Sequence, residues 1–248
     1  MNAPASALSV EHVTKTYPLD GVHRPVLRDV SFVVGHNEIV SIVGASGCGK
    51  STLLRLIVGL DTDYRGSITK HDANASDRRI GMVFQDHRLY PWLTVEANVG
   101  LALDNSALSQ AQRREKVRHY IDLVGLTEFA KAYPRQLSGG MAQRAAIARA
   151  LAQEPEILLM DEPFGALDSI LRMRLQEELL TIWESNRVAI VIVTHDVEEA
   201  LYLGDRIIVM EPNPGRIRDI IEVDLPRPRD RAASRLIELR RQCLSMLV

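Results

Sequence analysis

Residues 39–60 read IVSIVGASGCGKSTLLRLIVGL, and this stretch decides the fold class of the chain. A short apolar run leads into a glycine-rich turn and then into a leucine-rich pattern of helical period, which predicts a strand, a loop and a helix in that order. Within it, the pattern G-x-x-x-x-G-K-[ST] of a phosphate-binding loop is fulfilled by Gly44, Gly49, Lys50 and Ser51. Backbone N–H groups at a helix N-terminus surround a polyphosphate where no side chain intervenes. The stretch therefore predicts a nucleotide site.

The residues of this loop have separate expected tasks. Its three glycines are expected to give the phosphates clearance. Lys50 is expected to reach the outer phosphates as a point charge, and the Ser51 hydroxyl to bind a magnesium ion. The alternative is a chance glycine turn before a helix, which the flanking strand and helix disfavour. The predicted nucleotide-binding segment consists of Gly44, Ala45, Ser46, Gly47, Cys48, Gly49, Lys50, Ser51 and Thr52.

Composition restricts the class of protein around this site. The chain has 248 residues, of which 46% are apolar and 25% charged, and its formal net charge is −2. This length and balance predict a globular protein, either one large domain or a core with an inserted subdomain, without the basic surface of a nucleic-acid-binding protein. The apolar run at 188–193 is far shorter than the roughly 20 residues of a membrane span, so a membrane role needs partners. The N-terminus lacks the pattern of a secretory signal, which predicts a cytoplasmic protein.

Two cysteines, Cys48 and Cys243, are present. One lies in the phosphate loop and one near the C-terminus, which predicts a reducing compartment and no disulfide framework. Cys48 is expected to be an inert loop residue. The alternative is an oxidisable thiol activated by the helix N-terminus.

Alternating patterns on both sides of the loop predict an α/β fold. Residues 8–32 are expected to form short strands with a hairpin-like loop, and further strands are expected at 66–69 and 80–85. From about 86 to 137 the pattern is helical, with a capping box formed by Ser109 and Gln112 and a helix stop at Gly125. Strands and helices then alternate, which predicts a mostly parallel sheet. These later elements are helices at 142–153 and 171–182, strands at 157–160, 188–193, 206–210 and 216–223, and a C-terminal helix with Leu236, Leu239, Cys243 and Leu247 on one face.

Two adjacent carboxylates end the apolar strand in the sequence ILLMDEP at 157–163. An acid at the carboxyl end of a buried parallel strand points into the ligand crevice. Asp161 is then placed to hold magnesium, and Glu162 to accept a proton from the water that attacks the γ-phosphate. A helix cap or surface pair would be the default interpretation in a chain without Lys50.

The sequence LSGG at 137–140 precedes a helix rich in small residues, and it forms a second anion-ready helix N-terminus. If one subunit cannot bring both helix ends to one nucleotide, a second copy turned head to tail supplies the missing end. Four single residues could each have a purely structural role instead of a functional one. In that interpretation Tyr17 is a half-buried aromatic, Gln85 ends a strand, Asp168 belongs to a turn and His195 is a structural histidine.

The ordered set GASGCGKST, Gln85, LSGGM, ILLMDEP, GALD and His195 resembles the ATP-binding cassette ATPases over essentially the whole chain. The resemblance implies an α/β P-loop NTPase fold with a RecA-like, mostly parallel core, an N-terminal antiparallel β subdomain and an inserted α-helical subdomain. It implies ATP and Mg²⁺ as cofactors and a dimer that closes on two ATP molecules. In the implied cycle, hydrolysis opens the dimer and moves membrane-spanning permease subunits, and an extracytoplasmic solute-binding protein is implied as an indirect partner.

The resemblance also implies subdomain limits within a single domain. The β subdomain and RecA-like core are expected over about 7–85 and 146–225, the α-helical subdomain over about 86–145 and the C-terminal helix over about 230–247. The protein is then expected at the inner face of the cell membrane.

The matched residues carry implied roles. Tyr17 corresponds to the aromatic that stacks on adenine, and Gln85 to the loop glutamine that senses magnesium and the membrane partner. Glu162 corresponds to the catalytic base, and His195 to the histidine that contacts the γ-phosphate and orients the attacking water. The implied magnesium ligands are Ser51, Gln85 and Asp161.

Two further segments correspond to parts that act across the dimer. Asp168 corresponds to the loop at the dimer seam. The signature that contacts the opposite subunit's γ-phosphate corresponds to 137–141, with Ser138, Gly139, Gly140 and Met141.

One departure from the family pattern narrows the subgroup. The signature usually ends in glutamine, whereas Met141 stands here. Together with PWLTV at 91–95 it looks like the subgroup that serves nitrate, aliphatic sulfonate and taurine importers. The short C-terminal segment predicts that the regulatory domain of some sugar-importer ATPases is absent. The alternatives are a soluble cassette ATPase acting on nucleic acid or the ribosome, and a P-loop kinase, against which LSGG and His195 argue.

Overall fold

The computed structural model describes residues 6–19, 22–71, 80–165, 167–186 and 188–247. Most of the polar stretch after the fourth strand and Ala166 of the GALD motif lie outside the described residues, as does the start of the N-terminus that was considered for a signal sequence. The strands are β1 Ser6–Leu19, β2 Val22–Gly35, β3 Ile39–Gly44, β4 Arg65–Lys70, β5 Ile80–Val83, β6 Ile157–Asp161, β7 Ala189–Thr194, β8 Arg206–Glu211 and β9 Arg216–Glu222. The helices are α1 Lys50–Val58, α2 Val95–Gly100, α3 Gln110–Leu123, α4 Gly139–Leu151, α5 Ser169–Asn186, α6 Val197–Leu203 and α7 Ser234–Leu247, with 3-10 turns at Leu101–Leu103, Thr127–Phe129 and Pro134–Gln136. None of the helices in these described ranges is both long and apolar enough to cross a membrane.

The described residues divide into two compact units. The first unit is drawn from 1–78 and 189–248, and the second from 79–188. The boundaries between these units differ from the predicted subdomain limits, and those limits stay a prediction.

The first unit contains an antiparallel sheet and a largely parallel one. The antiparallel sheet has the order β2-β1-β4. In the other sheet β3 lies between β7 and β8 and is parallel to both, while β9 runs antiparallel to β8. Every residue of β3 and β7 is buried, as expected for strands covered on both faces. The predicted α/β rhythm is confirmed here.

The C-terminal helix packs as its pattern predicts. Leu236, Leu239 and Cys243 are buried on one face of α7. They join the apolar core formed with residues of β8, β9 and α6, among them Ile207 and Ile221. The opposite face of α7 carries charged residues, so the helix covers one side of the sheet.

The first two strands are longer than predicted. β1 and β2 each run for 14 residues, where the sequence predicted several short strands. Register shifts between Val10 and Val13 and between Lys15 and Thr16 absorb the interruptions in the pattern, as β-bulges do. Pro25 is accommodated because β2 is an edge strand.

The second unit contains the parallel pair β5 and β6 together with α2 to α5. The predicted capping box is confirmed: Ser109 N–H donates to Gln112 Oε1 at 2.9 Å, and Gln112 N–H donates to Ser109 Oγ at 3.4 Å. Gly125 follows α3 with a φ of 65°, which confirms the predicted stop. α4 begins at Gly139, three residues before the predicted start, because Ser138 caps it.

Candidate nucleotide-binding site

The phosphate loop connects β3 to α1 in the first unit. Gly49 is the N-cap of α1 with a φ of 97°, and it has no side chain with which to cap the helix. The N–H groups of the first turn of α1 are therefore directed at the loop, which is the arrangement that binds anions. Ala45, Ser46 and Gly47 are exposed at the top of the loop, whereas Cys48 is buried below it.

The glycines of the loop are required for different reasons. A Cβ on Gly44 would lie 2.6 Å from Cys48 Sγ and 2.8 Å from the Met210 carbonyl oxygen, so Gly44 is required by packing inside the protein. A Cβ on Gly47 would meet nothing within 4 Å, and its φ is 80°. Clearance above the loop is thus a property of Gly47. At Gly44 the expected clearance is replaced by close packing, and so it is at Gly49, where a Cβ would lie 2.6 Å from Leu27 Cδ2.

Lys50 lies over its own loop. Its Nζ donates to the carbonyl oxygen of Gly44 at 2.7 Å and to that of Ala45 at 3.1 Å, and only 6% of the residue is exposed. The ammonium group is therefore held at the loop, where it would meet an incoming phosphate. Burial raises the pKa of the Cys48 thiol, although Lys50 opposes the shift. This argues for the inert Cys48 and against the activated thiol.

His195 emerges beside the phosphate loop. β3 and β7 are parallel neighbours, with Val43 paired to Thr194, so the loop and His195 leave the same edge of the sheet. His195 is exposed and directly precedes α6. The Asp196 carboxylate caps that helix by accepting from the N–H groups of Glu198 at 2.9 Å and Glu199 at 3.2 Å. The cap fixes the direction in which the chain continues after His195.

Tyr17 is half-buried in β1, as its structural alternative also predicted. Its hydroxyl donates to Asp61 Oδ2 at 2.7 Å, and the same carboxylate accepts from Lys15 Nζ at 2.9 Å. Sequence reasoning did not predict Lys15 or Asp61, because they are 46 positions apart and neither lies in a motif.

In the second unit, the predicted acids and Gln85 leave one edge of the β5–β6 pair. The strands are parallel with Val83 beside Met160. Asp161 is the last residue of β6, Glu162 follows it, and Gln85 is exposed two residues after β5. The strand order thus brings these side chains to the same end of the pair.

The backbone at Glu162 adopts a rare conformation. Its φ is 45°, in the left-handed region that non-glycine residues seldom occupy. Such conformations cost about 1–3 kcal/mol and cluster at functional sites. No sequence signal predicted it, since glutamate is not among the residues enriched in this region. The observation strengthens the case that Glu162 has a task beyond ending a strand.

The LSGG segment and the start of α5 are in contact. Ser138 Oγ accepts from the Met141 N–H at 3.3 Å and caps α4, while Gly140 is buried. A Cβ on Gly140 would lie 2.7 Å from Leu171 Cδ2. Ser138 and Gly139 remain exposed at the helix end.

Asp168 caps α5. Its Oδ1 accepts from the N–H groups of Ile170 at 3.1 Å and Leu171 at 3.0 Å. Asp168 therefore has a structural task as well as the implied one at a dimer seam.

Contacts within the second unit that sequence reasoning missed hold the segment after Gln85. His87 Nδ1 lies 2.7 Å from Gln143 Oε1, and Arg149 donates to the carbonyl oxygens of His87 at 3.0 Å and Arg88 at 2.7 Å. Both Gln143 and Arg149 belong to α4, so the segment is fastened to the helix that the LSGG motif begins.

The implied magnesium ligands are a hydroxyl, an amide and a carboxylate, which are the oxygen donors that Mg²⁺ prefers. They lie in both units, with Ser51 in the first and Gln85 and Asp161 in the second. Within the described part of the chain, no group of three or more His, Cys, Asp and Glu side chains could hold a metal ion.

The chain matches a family profile, and it is similar to known proteins in sequence and to solved structures. A family profile described as ABC transporter matches residues 27–165. The aliphatic sulfonates import ATP-binding protein SsuB of Bacillus cereus is 43% identical over 239 residues, which cover 96% of this chain and 94% of that protein. The dimeric, post-hydrolysis state of the ATP-binding cassette MJ0796 bound to ADP and Pi has a TM-score of 0.75 at 34% identity, covering 88% of this chain and 100% of that one. The cbiO1 protein of Clostridium perfringens, part of the ABC transporter complex cbiONQ, has a TM-score of 0.77 at 27% identity, covering 88% and 89% respectively.

Proposed function

The chain belongs to the ABC transporter family as an ATP-binding ATPase with a P-loop NTPase fold, and from this premise we propose that it powers an importer of aliphatic sulfonates. The sulfonate relative supports this substrate class within the subgroup indicated by Met141 and residues 91–95. Nitrate and taurine are the competing substrates. The importer relative also favours this function over a soluble cassette ATPase acting on nucleic acid or the ribosome.

The observation that carries the ATPase role is the shared sheet edge of the phosphate loop and His195. The N-terminus of α1 binds the β- and γ-phosphates, and Lys50 leaves its loop carbonyls to pair with them. His195 contacts the γ-phosphate and orients the attacking water. Tyr17 stacks on the adenine ring, which gives ATP a second anchor remote from the phosphates.

Glu162 accepts a proton from the attacking water. Ser51, Asp161 and Gln85 would hold Mg²⁺, and the bound ion would neutralise charge on the phosphates. Binding the ion and accepting the proton together need one amide oxygen and two carboxylates at the ends of neighbouring strands. The β5–β6 pair supplies that set.

A second copy completes each site. The exposed Ser138 and Gly139 at the N-terminus of α4 face a γ-phosphate held by the partner, and Asp168 lies at the seam. The dimeric cassette to which the chain is similar supports this arrangement.

A cleft of about 660 Å³ in the second unit is the proposed docking site for a permease segment. Phe84, directly before Gln85, lines it together with Arg88, Tyr90 and Leu101. Arg149 of α4 holds the backbone at residues 87 and 88. A segment that fills this cleft would contact Phe84 and Arg88, which lie on either side of Gln85 in the chain. Leu101 is 37% exposed. The variant L101D is expected to keep basal ATPase activity and to lose stimulation by the permease.

In the cell, the protein is proposed to sit at the inner face of the membrane on permease subunits, which receive solute from an extracytoplasmic binding protein. The test is reconstitution of the chain with candidate permease subunits and a candidate solute-binding protein, in vesicles with ATP inside. We expect uptake of a labelled aliphatic sulfonate that exceeds uptake of nitrate and taurine. ATP-dependent uptake of nitrate alone would overturn the substrate and keep the importer. ATPase activity that responds to ribosomes or DNA and not to the permease would overturn the importer.

A further inference from the structure

Lys15 is a buried lysine within a hydrogen-bonded cluster. Only 2% of the residue is exposed. Its Nζ donates to Asp61 Oδ1 at 2.9 Å, to the carbonyl oxygen of Asp63 and to Asp63 Oδ2 at 3.3 Å. A buried ammonium is tolerated where such partners replace its water, and the three acceptors meet that requirement.

Tyr17 is held by the same cluster. It lies two residues after Lys15 in β1, and both side chains reach the Asp61 carboxylate. The Tyr17 hydroxyl donates to Asp61 Oδ2 at 2.7 Å, and Lys15 Nζ lies 4.6 Å from the ring centroid. Asp61 therefore uses one oxygen for the lysine and the other for the tyrosine. The ring is fixed at its hydroxyl by the carboxylate and on one face by the ammonium.

Asp61 connects this cluster to the phosphate loop through a rigid helix. α1 begins at Lys50 and ends at Val58, and Asp61 follows its C-cap Gly59. The Asp61 N–H donates to the Arg55 carbonyl oxygen at 3.4 Å, which ties it to the last turn of the helix. Nine helical residues span about 13 Å at 1.5 Å per residue. The separation between Tyr17 and the phosphate loop is thereby set by the length of α1.

We propose that Lys15 and Asp61 are positioning residues that fix the Tyr17 ring for the nucleotide base, setting both its distance from the phosphate loop and the face it offers. The proposal rests on the proposed function, in which Tyr17 stacks on adenine. The ammonium occupies one face of the ring through a cation–π contact, which leaves the opposite face for the base. A ring already ordered before binding loses less conformational entropy when the base arrives, so affinity for ATP rises.

The protonation states of the cluster keep its hydrogen bonds in place. The hydrogen bond from Lys15 and then that from Tyr17 hold the pKa of Asp61 below its usual value. Burial lowers the pKa of Lys15, but its hydrogen bonds to Asp61 and Asp63 outweigh that and raise it. Burial and the hydrogen bond to Asp61 raise the pKa of Tyr17, so its hydroxyl stays a donor. The arrangement therefore persists over the whole physiological pH range.

The test separates the base from the triphosphate. The variants D61N, K15M and Y17F are compared by steady-state ATPase kinetics and by competition with inorganic tripolyphosphate, which has no base. We expect D61N and Y17F each to raise the KM for ATP about three- to tenfold, the range of one hydrogen bond, with kcat and tripolyphosphate inhibition unchanged. K15M is expected to shift KM in the same direction. D29N is the matched control, since Asp29 is an exposed aspartate of β2 whose Oδ1 lies 2.7 Å from His12 Nδ1.

A double-mutant cycle then distinguishes positioning from general destabilisation. The double variant D61N/Y17F is expected to raise KM by less than the product of the two single increases, because the bond between Asp61 and Tyr17 is disturbed in both single variants. Y17F removes only the hydroxyl group, so it keeps the test valid if D61N or K15M folds poorly. Additive effects on KM, or an equal loss of tripolyphosphate affinity, would overturn the proposal. An unchanged KM in Y17A would instead overturn the stacking role of Tyr17 in the proposed function, whereas a raised KM in Y17A with normal D61N and Y17F would overturn the positioning alone.

Discussion

At the scale of single residues, Glu162 combines an unusual backbone with the position that the proposed chemistry requires. It follows the last residue of β6 with a φ of 45°, and its carbonyl oxygen accepts from the Gly165 N–H at 3.2 Å. This turn directs the chain away from the strand immediately after the carboxylate. The strained backbone is consistent with a side chain aimed at a fixed reaction partner, since strain of this kind persists only where the surroundings impose it.

Replacing this carboxylate by an amide tests its role. E162Q keeps the shape of the side chain and removes the base, so ATP binding should persist while hydrolysis falls about 10²- to 10⁴-fold. Equilibrium binding of a fluorescent ATP analogue and release of phosphate measure the two quantities. E115Q, at an exposed glutamate of α3, is the matched control and should hydrolyse ATP normally. Undiminished turnover in E162Q would show that another group accepts the proton.

The charge of Asp61 predicts a dependence of stability on pH. Its pKa is lowered in the folded protein from the ordinary value of 3.8, first by Lys15 and then by Tyr17. A group with a depressed folded pKa contributes stability that is fully present above its unfolded pKa and is lost as the pH falls through the folded value. Between about pH 6 and pH 3 the melting temperature should therefore fall less in D61N than in the unchanged protein or in D29N. A parallel fall in all three would contradict the assignment of the stabilising charge to Asp61.

At the scale of elements, the contact between the first turns of α4 and α5 has little spare room. A methyl group on Gly140 would clash with Leu171 Cδ2, whereas a Cβ on Gly139 meets Leu167 Cδ2 at an ordinary 3.8 Å. G140A should consequently destabilise the protein by about 1–3 kcal/mol, the typical result of overpacking. G139A is the matched control and should be neutral or slightly stabilising, because alanine favours a helix over glycine. Urea unfolding measures both.

A second substitution checks the cause. L171A removes the atoms that the new methyl group would meet, so G140A/L171A should be less destabilised than the sum of the two single changes. Strict additivity would place the strain elsewhere.

The elements also show which parts of the structure the sequence could predict. The capping box at Ser109, the fully buried strands and the apolar face of α7 depend on local patterns, and they were predicted. The length of β1 was not predicted, because a β-bulge breaks the alternation of apolar and polar residues in the same way as the end of a strand. The cluster of Lys15 and Asp61 was not predicted either, since a contact between residues 46 positions apart leaves no local signal. The site motifs were recognisable because phosphate chemistry fixes residue types at short spacings.

At the scale of the whole molecule, the proposed site requires two chains. The phosphate loop and the LSGG segment are both helix N-termini suited to anions, and a nucleotide shared between two copies uses one of each. Hydrolysis would then depend on a residue that does not contribute to binding ATP in a single chain.

Ser138 gives this dependence a sharp test, provided that its local role is separated from its role across the dimer. Its Oγ caps α4 by accepting from the Met141 N–H, so S138A also removes a helix cap at a cost of about 1 kcal/mol. S109A is the matched control, because Ser109 caps α3 in the same way and has no proposed role with nucleotide. Both variants should lose similar stability, and both should bind ATP as monomers with unchanged affinity. S138A alone should lower the rate of hydrolysis. In the E162Q background, S138A alone should also reduce the amount of ATP-dependent dimer measured by light scattering. Equal hydrolysis in S138A and S109A would mean that Ser138 serves only as a cap, and the second copy would then have to complete the site with other groups of α4.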